Sequence, residues 1–112
     1  MPSATDQMRA PRARFRVGQP VHHKRFDYRG VIVDVDPGFA GTEEWYRVMA
    51  TSRPPRDRPW YHVLVHDAPQ RTYVAERNLE PDLTGLPIRH PELATFFSRF
   101  ENGIYVTRRV AN

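Results

Sequence analysis

Apolar residues recur at every second position in several short runs, and clusters of Gly, Pro, Asp and Asn separate them. Phe15, Val17 and, past Gly18-Gln19-Pro20, Val21 carry the spacing of a half-buried strand. Gly18 predicts a bulge or sharp bend within it. The β-branched run at 31–36 predicts a second strand with Val31, Val33 and Val35 on one face. Asp36-Pro37-Gly38 supplies the turn chemistry of a hairpin after it. Residues 60–66 (WYHVLVH) and 71–76 (RTYVAE) form the firmest pair, joined across Asp67-Ala68-Pro69-Gln70. Ile104, Tyr105 and Val106 make a last short strand.

Two segments carry a helical period. Thr42 is a good N-cap for a helix through Ala50, with Glu43 and Glu44 where the dipole favours acids and Trp45, Val48 and Met49 on one apolar face. His90-Pro91-Glu92 starts another, in which Leu93, Phe96, Phe97 and Phe100 fall at i, i+3, i+4 and i+7, with Asn102-Gly103 as its C-terminal cap. Asn78-Leu79-Glu80-Pro81 reads as a turn, and residues 52–59 as a stiff, exposed, basic connector. Five short strands and two short helices predict a mainly β domain, a small five-stranded SH3-like barrel with accessory helices.

With 112 residues the chain fits one compact domain. Residues 1–14, basic and broken by Pro2 and Pro11, read as a flexible tail; 15–109 is the domain and 110–112 a free C-terminal tail. The absence of cysteine excludes disulfides, thiol nucleophiles and thiolate metal sites. No apolar run is long enough to cross a membrane as a helix, and the first residues lack the apolar stretch of a signal peptide, so the expected location is the cytoplasm.

Net charge is +4, which suits an anionic partner, and the distribution is uneven. Between Arg9 and Arg29 lie seven Lys or Arg against one acid, Asp27. The candidate contacts for DNA or another partner are Arg14, Arg16, Lys24, Arg25 and Arg29 at the front, and Arg53, Arg56 and Arg58 in the 52–59 loop. Phe26, Tyr28, Trp60 and Tyr61 are interleaved with them; Tyr28, Trp45, Tyr46 and Trp60 are the candidate aromatic contacts.

Five histidines invite a metal reading that strand geometry opposes. His22 and His23 point to opposite faces, and His62 and His66 lie roughly 13 Å apart on a strand, so hydrogen-bonded structural roles are expected. Asp34 and Asp36 share one strand face at about 6.6 Å. They could hold a cation or, with a histidine, serve a hydrolase, but the structural reading is stronger: a turn-fixing Asp36, and an Asp34 that meets an Arg across the sheet. No phosphate loop, nucleophile elbow or H-E-x-x-H is present, so no catalytic residue, metal site or cofactor is expected.

Read in order, the blocks FRVGQPVHHKRFDYRGVIVDVDP, TEEWYRVMA, RPPRDRPWYHVLV, TYVAERNLEPD and FENGIYVTR resemble the heat-shock protein HspQ family, whose members are also described as hemimethylated-DNA-binding, YccV-like domains. The resemblance runs from Phe15 to Arg108. It implies a small β-barrel without enzymatic activity, heat-stress induction, and self-association into a small oligomer such as a trimer. It also implies two roles: binding hemimethylated DNA, and promoting degradation of damaged or regulatory proteins, including the replication initiator DnaA, by the ATP-dependent protease Lon. The modest net charge favours the Lon-linked role, acting through exposed aromatic and basic surface and a free segment at 107–112.

Overall fold

A computed structural model describes residues 12–108. The described residues form seven strands and two short helices: β1 (Pro20–His23), β2 (Arg29–Asp36), α1 (Glu43–Met49), β3 (Trp60–Val65), β4 (Arg71–Ala75), β5 (Leu79–Pro81), α2 (Leu93–Phe96), β6 (Phe97–Glu101) and β7 (Ile104–Thr107). The fold is mainly β, as the alternating runs require. Strands β1 to β5 make one antiparallel sheet in the order β4-β3-β2-β1-β5, and β6-β7 is a separate hairpin. The hydrogen-bonded sheet is not closed into a barrel; β4 and β5 are its edges. Of the expected tails, 1–11 and 110–112 lie outside the described residues.

Both faces of the sheet are covered. One buries Val21, Ile32, Tyr61, Val63, Val74 and Leu79 together with Phe15. The other packs Val31, Val33 and Leu64 against Ile88 and against Phe97 and Tyr105 of the β6-β7 hairpin. Each such side chain contributes about 1.5–3 kcal/mol by leaving water, so the hairpin is fixed by burial rather than by ladder bonds to the sheet.

Several expectations are corrected. Phe15 is buried but not in a strand: Gln19 N–H donates to the Arg16 carbonyl, Gly18 turns at φ 91°, and pairing starts only at Pro20. The bend at Gly18 was expected, and its cause is close approach, since a Cβ there would lie 2.1 Å from the Tyr105 carbonyl oxygen. Val31, Val33 and Val35 do not share a face. A bulge between Ile32 and Asp34 adds a residue to β2, so Val31 and Val33 face one core while Val35 packs against the other. No hairpin follows Asp36-Pro37-Gly38; the chain enters α1 before returning as β3 beside β2.

The β3-β4 hairpin forms where expected, each strand one residue shorter than its run, with Trp60 opposite Ala75 and Leu64 opposite Arg71. The turn expected at residues 78–81 is instead β5, whose Pro81 is tolerated because this strand is an edge. The long second helix is also corrected. Only Leu93–Phe96 is helical, and Asn102-Gly103 (φ 53° and 79°) is the two-residue turn between β6 and β7. A bulge between Phe97 and Arg99 brings Phe97 and Phe100 to the same core, which mimics a helical stripe.

Candidate functional site

An aromatic cluster organises one end of the sheet. The Thr42 hydroxyl caps α1 by accepting from Trp45 N–H (3.0 Å), which sets the helix where Tyr46 and Ala50 bury against Trp60 and Ala75. Phe39, Trp45 and Tyr73 pack around them. The 52–59 segment, expected as a stiff, exposed connector, is a strap pinned to this cluster. Tyr46 OH donates to the Pro54 carbonyl (2.6 Å), Trp60 Nε1–H to the Pro55 carbonyl (3.1 Å) and Phe39 N–H to the Arg56 carbonyl (2.8 Å). Arg56 lies 3.9 Å above the Tyr46 ring and pairs with Glu43. Tyr46, Trp60 and Arg56 are therefore engaged in holding the strap. The expected apolar face of α1 is also corrected, because Val48 and Met49 are 54% and 62% exposed and only Trp45 of that trio packs inward.

Opposite α1 stands the β1-β2 turn. His23 is buried, and its Nδ1 accepts from the backbone N–H of both Arg25 and Phe26 (3.1 Å each). Its ring stacks at 4.8 Å on Phe26 and 5.0 Å on Tyr28. Burial first, then the charges of Arg25 and His22, push the His23 pKa below its ordinary value. Fixed in this way, the turn presents Phe26 at 69% exposure, with Arg25 stacked 5.7 Å from its ring centre. His22 points to the opposite side, as strand geometry predicts, and lies 2.7 Å from both Asp27 and Glu80, whose hydrogen bonds raise its pKa.

Between turn and helix lies a cleft of about 300 Å³ walled by His23, Phe26 and Tyr28 on one side and by Trp45 and Met49 on the other, with Thr72, Tyr73 and Val74 of β4 as floor. Tyr28 OH bonds Thr72 Oγ1 at 2.7 Å across it. A smaller hollow of about 70 Å³ continues past Ala50 and Ser52 to Trp60 and Asn78. Arg25 and Arg71 border the two hollows.

Cations extend this border. Lys24 N–H donates to the carbonyl of Asn78 (2.9 Å), the residue after Arg77, whose guanidinium donates to the Ser52 carbonyl. Arg77 meets Arg14 and Arg58 around a further hollow of about 270 Å³ that also touches Pro55 and Glu76. The Glu76 carboxylate is already occupied there by Arg14 N–H (2.9 Å) and Tyr61 OH (2.6 Å); burial and that carboxylate raise the phenol's pKa well above its usual range. Exposed Arg53 lies between Ser52 and Pro54, both of which line the smaller hollow.

Of the predicted contacts, Arg25 lines the smaller hollow, Arg14 and Arg58 line the neighbouring one with Arg77, Lys24 and Arg53 sit next in the chain to residues of the smaller hollow without lining it, and Tyr28 and Trp45 face the cleft. Arg29 does not join them. Its guanidinium is held by Asp82 (2.8 Å) and the Leu86 carbonyl (2.6 Å), with only 18% of the side chain exposed. Arg16 is exposed, but among the described residues no side-chain contact brings it to this border. Arg71 and Arg77 were missed because each is a single cation in a strand or turn, with no local charge cluster to mark it.

The structure does bring Asp34, Asp36 and His62 together, with their ligand atoms within 4.8 Å of one another. Asp36 Oδ2 accepts from Tyr73 OH (2.7 Å) and contacts His62 Nε2 (3.2 Å). The cross-strand neighbour of Asp34 is His62, not the expected Arg. All five histidines have hydrogen-bond partners, His66 through Arg89 N–H and His90 through the Gln70 carbonyl and Glu92 N–H among them. His62 and His66 serve separate contacts, with Asp36 and Asp67.

Fold and surface together define a small mainly β domain with an aromatic-walled cleft and neighbouring hollows lined by arginine. A family model described as hemimethylated DNA-binding protein YccV like matches residues 13–104. The chain belongs to this YccV-like family, which is a family of binding domains.

Proposed function

We propose that the chain is a non-enzymatic, cytoplasmic DNA-binding protein that reads hemimethylated duplexes through this cleft. The observation that carries the reading is an aromatic cleft with Arg71 in its lining, continued by a hollow that Arg25 lines and, across Ala75, by a second hollow lined by Arg14, Arg58 and Arg77. The cations supply phosphate contacts, which position a duplex but carry no sequence information. Discrimination of a methyl group needs an apolar hollow fitted to it, and the walls formed by Phe26, Met49 and Trp45 offer one. Titration against unmethylated, hemimethylated and fully methylated duplexes of one sequence tests it. Tightest binding to the hemimethylated form, lost with Phe26→Ala, is expected; equal affinity for all three would refute methylation reading.

The Lon-linked role is a second reading, favoured by the open edge of β4. Bonds from Val65 N–H to the Gln70 carbonyl and from Glu76 N–H to the Pro59 carbonyl bracket the β3-β4 ladder, so the backbone groups of Arg71 and Tyr73 point away from β3. An extended polypeptide could pair there and set its side chains against Phe26 and Met49. In this reading Lon and its substrates, DnaA among them, are partners of a homo-oligomer, a trimer, formed by a single domain over residues 15–109. The C-terminal contact at 107–112 lies largely outside the described residues. Purified Lon with an unstable substrate, with and without the protein, tests the role, and sedimentation tests the trimer; unchanged proteolysis removes this reading and leaves DNA binding standing.

A further inference from the structure

On the other side of Trp45 and Tyr73 lies a second cleft, of about 300 Å³, lined by Asp36, Ala40, Gly41, Thr42, Trp45, His62 and Tyr73. Its character is opposite to that of the basic cleft. The rings form a rigid corner: Trp45 meets Tyr73 edge-on at 5.6 Å between centres, and Tyr73 lies 4.6 Å from His62. The Tyr73 hydroxyl accepts from Ala40 N–H (3.0 Å) while donating to Asp36, which ties the rim to the floor. Burial first, and then the hydrogen bond to Asp36, raise the phenol's pKa, so Tyr73 stays a donor. Exposed Asp34 adds a second carboxylate within 4.8 Å.

No cation of the described chain serves this corner. Elsewhere the protein stacks its own arginines on its own rings: Arg14 on Phe15, Arg25 on Phe26, Arg56 on Phe39 and Tyr46, and Arg71 on Phe96. Among the described residues none lies over Trp45 or Tyr73, and neither Asp34 nor Asp36 pairs with Lys or Arg. Asp36 and the Trp45 ring at the wall of an open cleft, with the Asp34 carboxylate within 4.8 Å of the Asp36 and His62 ligand atoms, thus have no Lys or Arg partner among the described residues of a chain of net charge +4.

We propose that the cleft between Trp45 and the Asp34-Asp36 pair receives an arginine side chain from a partner polypeptide. A guanidinium matches it better than an ammonium, because its plane can stack on the indole while its fork spans two carboxylate oxygens. Asp36 Oδ2 is taken by Tyr73 and His62 and Asp34 Oδ1 by Val35 N–H, which leaves Asp36 Oδ1 and Asp34 Oδ2 to accept. The site is separate from the DNA reading and does not depend on it.

The test is an NMR titration of the full 112-residue chain with a capped Gly-Arg-Gly peptide, with the citrulline peptide in parallel and with Mg²⁺ and Mn²⁺ as competitors. Saturable shifts of the Trp45 indole N–H and the Ala40 and Thr42 amides are expected with arginine and not with citrulline. Asp34→Asn, at an exposed position that keeps an acceptor for Val35 N–H, should weaken binding roughly tenfold by removing one charge-assisted contact. An equal response to citrulline, or no saturable response, overturns the proposal. So does a metal ion that binds tightly and displaces the peptide, which would make this a cation site for metal. The same shifts on concentrating the protein alone would assign the cleft to a second copy of the chain and overturn the partner assignment.

Discussion

Arg29 and Arg77 would be equal candidates by charge, and the structure separates them. If five of the border cations, Arg14, Lys24, Arg25, Arg58 and Arg77, each neutralise one phosphate, the slope of log K against log salt is about −4.5, at about 0.9 per contact. Arg77→Ala should bring it to about −3.6 and weaken binding alike for all three methylation states, because a phosphate contact is blind to the base. Arg29→Ala should leave the slope unchanged and cost stability instead. It strips Asp82, whose side chain is 4% exposed, of its guanidinium and leaves it only the N–H and hydroxyl of Thr84. An unpaired buried carboxylate of this kind costs about 2–3 kcal/mol, or roughly 10 °C in Tm for a domain of this size. Fluorescence anisotropy on a labelled duplex at four salt concentrations, with urea unfolding of the same proteins, measures both. An equal slope change for the two variants, or a flat salt dependence in the parent, would refute the assignment of these roles.

Gly18→Ala should destabilise by about 3 kcal/mol or more in urea unfolding, since a Cβ at φ 91° would sit 2.1 Å from the Tyr105 carbonyl oxygen and break the Tyr105 N–H bond to the Gly18 carbonyl. Tyr61→Phe should cost about 1–2 kcal/mol, because the buried Phe15 N–H loses its acceptor and Glu76 a donor; a neutral result would show that water replaces the hydroxyl. His22 and His23 should respond to pH in opposite directions. The His22 pKa is raised, so its contribution is complete below the unfolded-state value near 6.5 and is lost as pH climbs through the folded one. The His23 pKa is lowered, so its contribution is complete above that unfolded-state value and is lost as pH falls through the folded one, when protonation of Nδ1 expels the Arg25 and Phe26 amides. Imidazole titration by NMR, with amide exchange at Arg25 and Phe26, checks both signs.

Local chemistry was legible wherever it acted alone. Thr42 with two acids after it started α1, and the runs around Val63 and Val74 gave the central hairpin because β-branched alternation has no competing reading. What could not be read were positions decided by one extra residue. The bulge in β2 moved Val35 from one core to the other, and the bulge at Ser98 let a strand carry Phe97 and Phe100 at helical spacing. In that second case Asn102-Gly103 was the better signal: between alternating apolar residues it specifies a hairpin more strongly than a helix cap. β5 was hidden by its length of three residues and by Pro81, and the edge position that permits both exists only once the sheet is assembled.

The candidate surface was legible as composition and not as geometry. Clustered charge drew attention to Arg29 and Arg56, which are engaged by Asp82 and by Glu43 and Tyr46 of the same chain, whereas Arg71, isolated in sequence, lines the cleft and Arg77 the hollow with Arg14 and Arg58. Aromatic residues divide in the same way: Tyr46 and Trp60 donate to strap carbonyls, and the strap fixes the helix that presents Trp45. Trp45 and Tyr73 then form a single wall with Met49 and Arg71 on one side and Asp36 and His62 on the other. A wall one side chain thick cannot be remodelled for one cleft alone. Substitution of Trp45 must disturb both, so Phe26→Ala for the basic cleft and Asp34→Asn for the acidic one are the changes that can separate them, each acting at an exposed position that the core does not use.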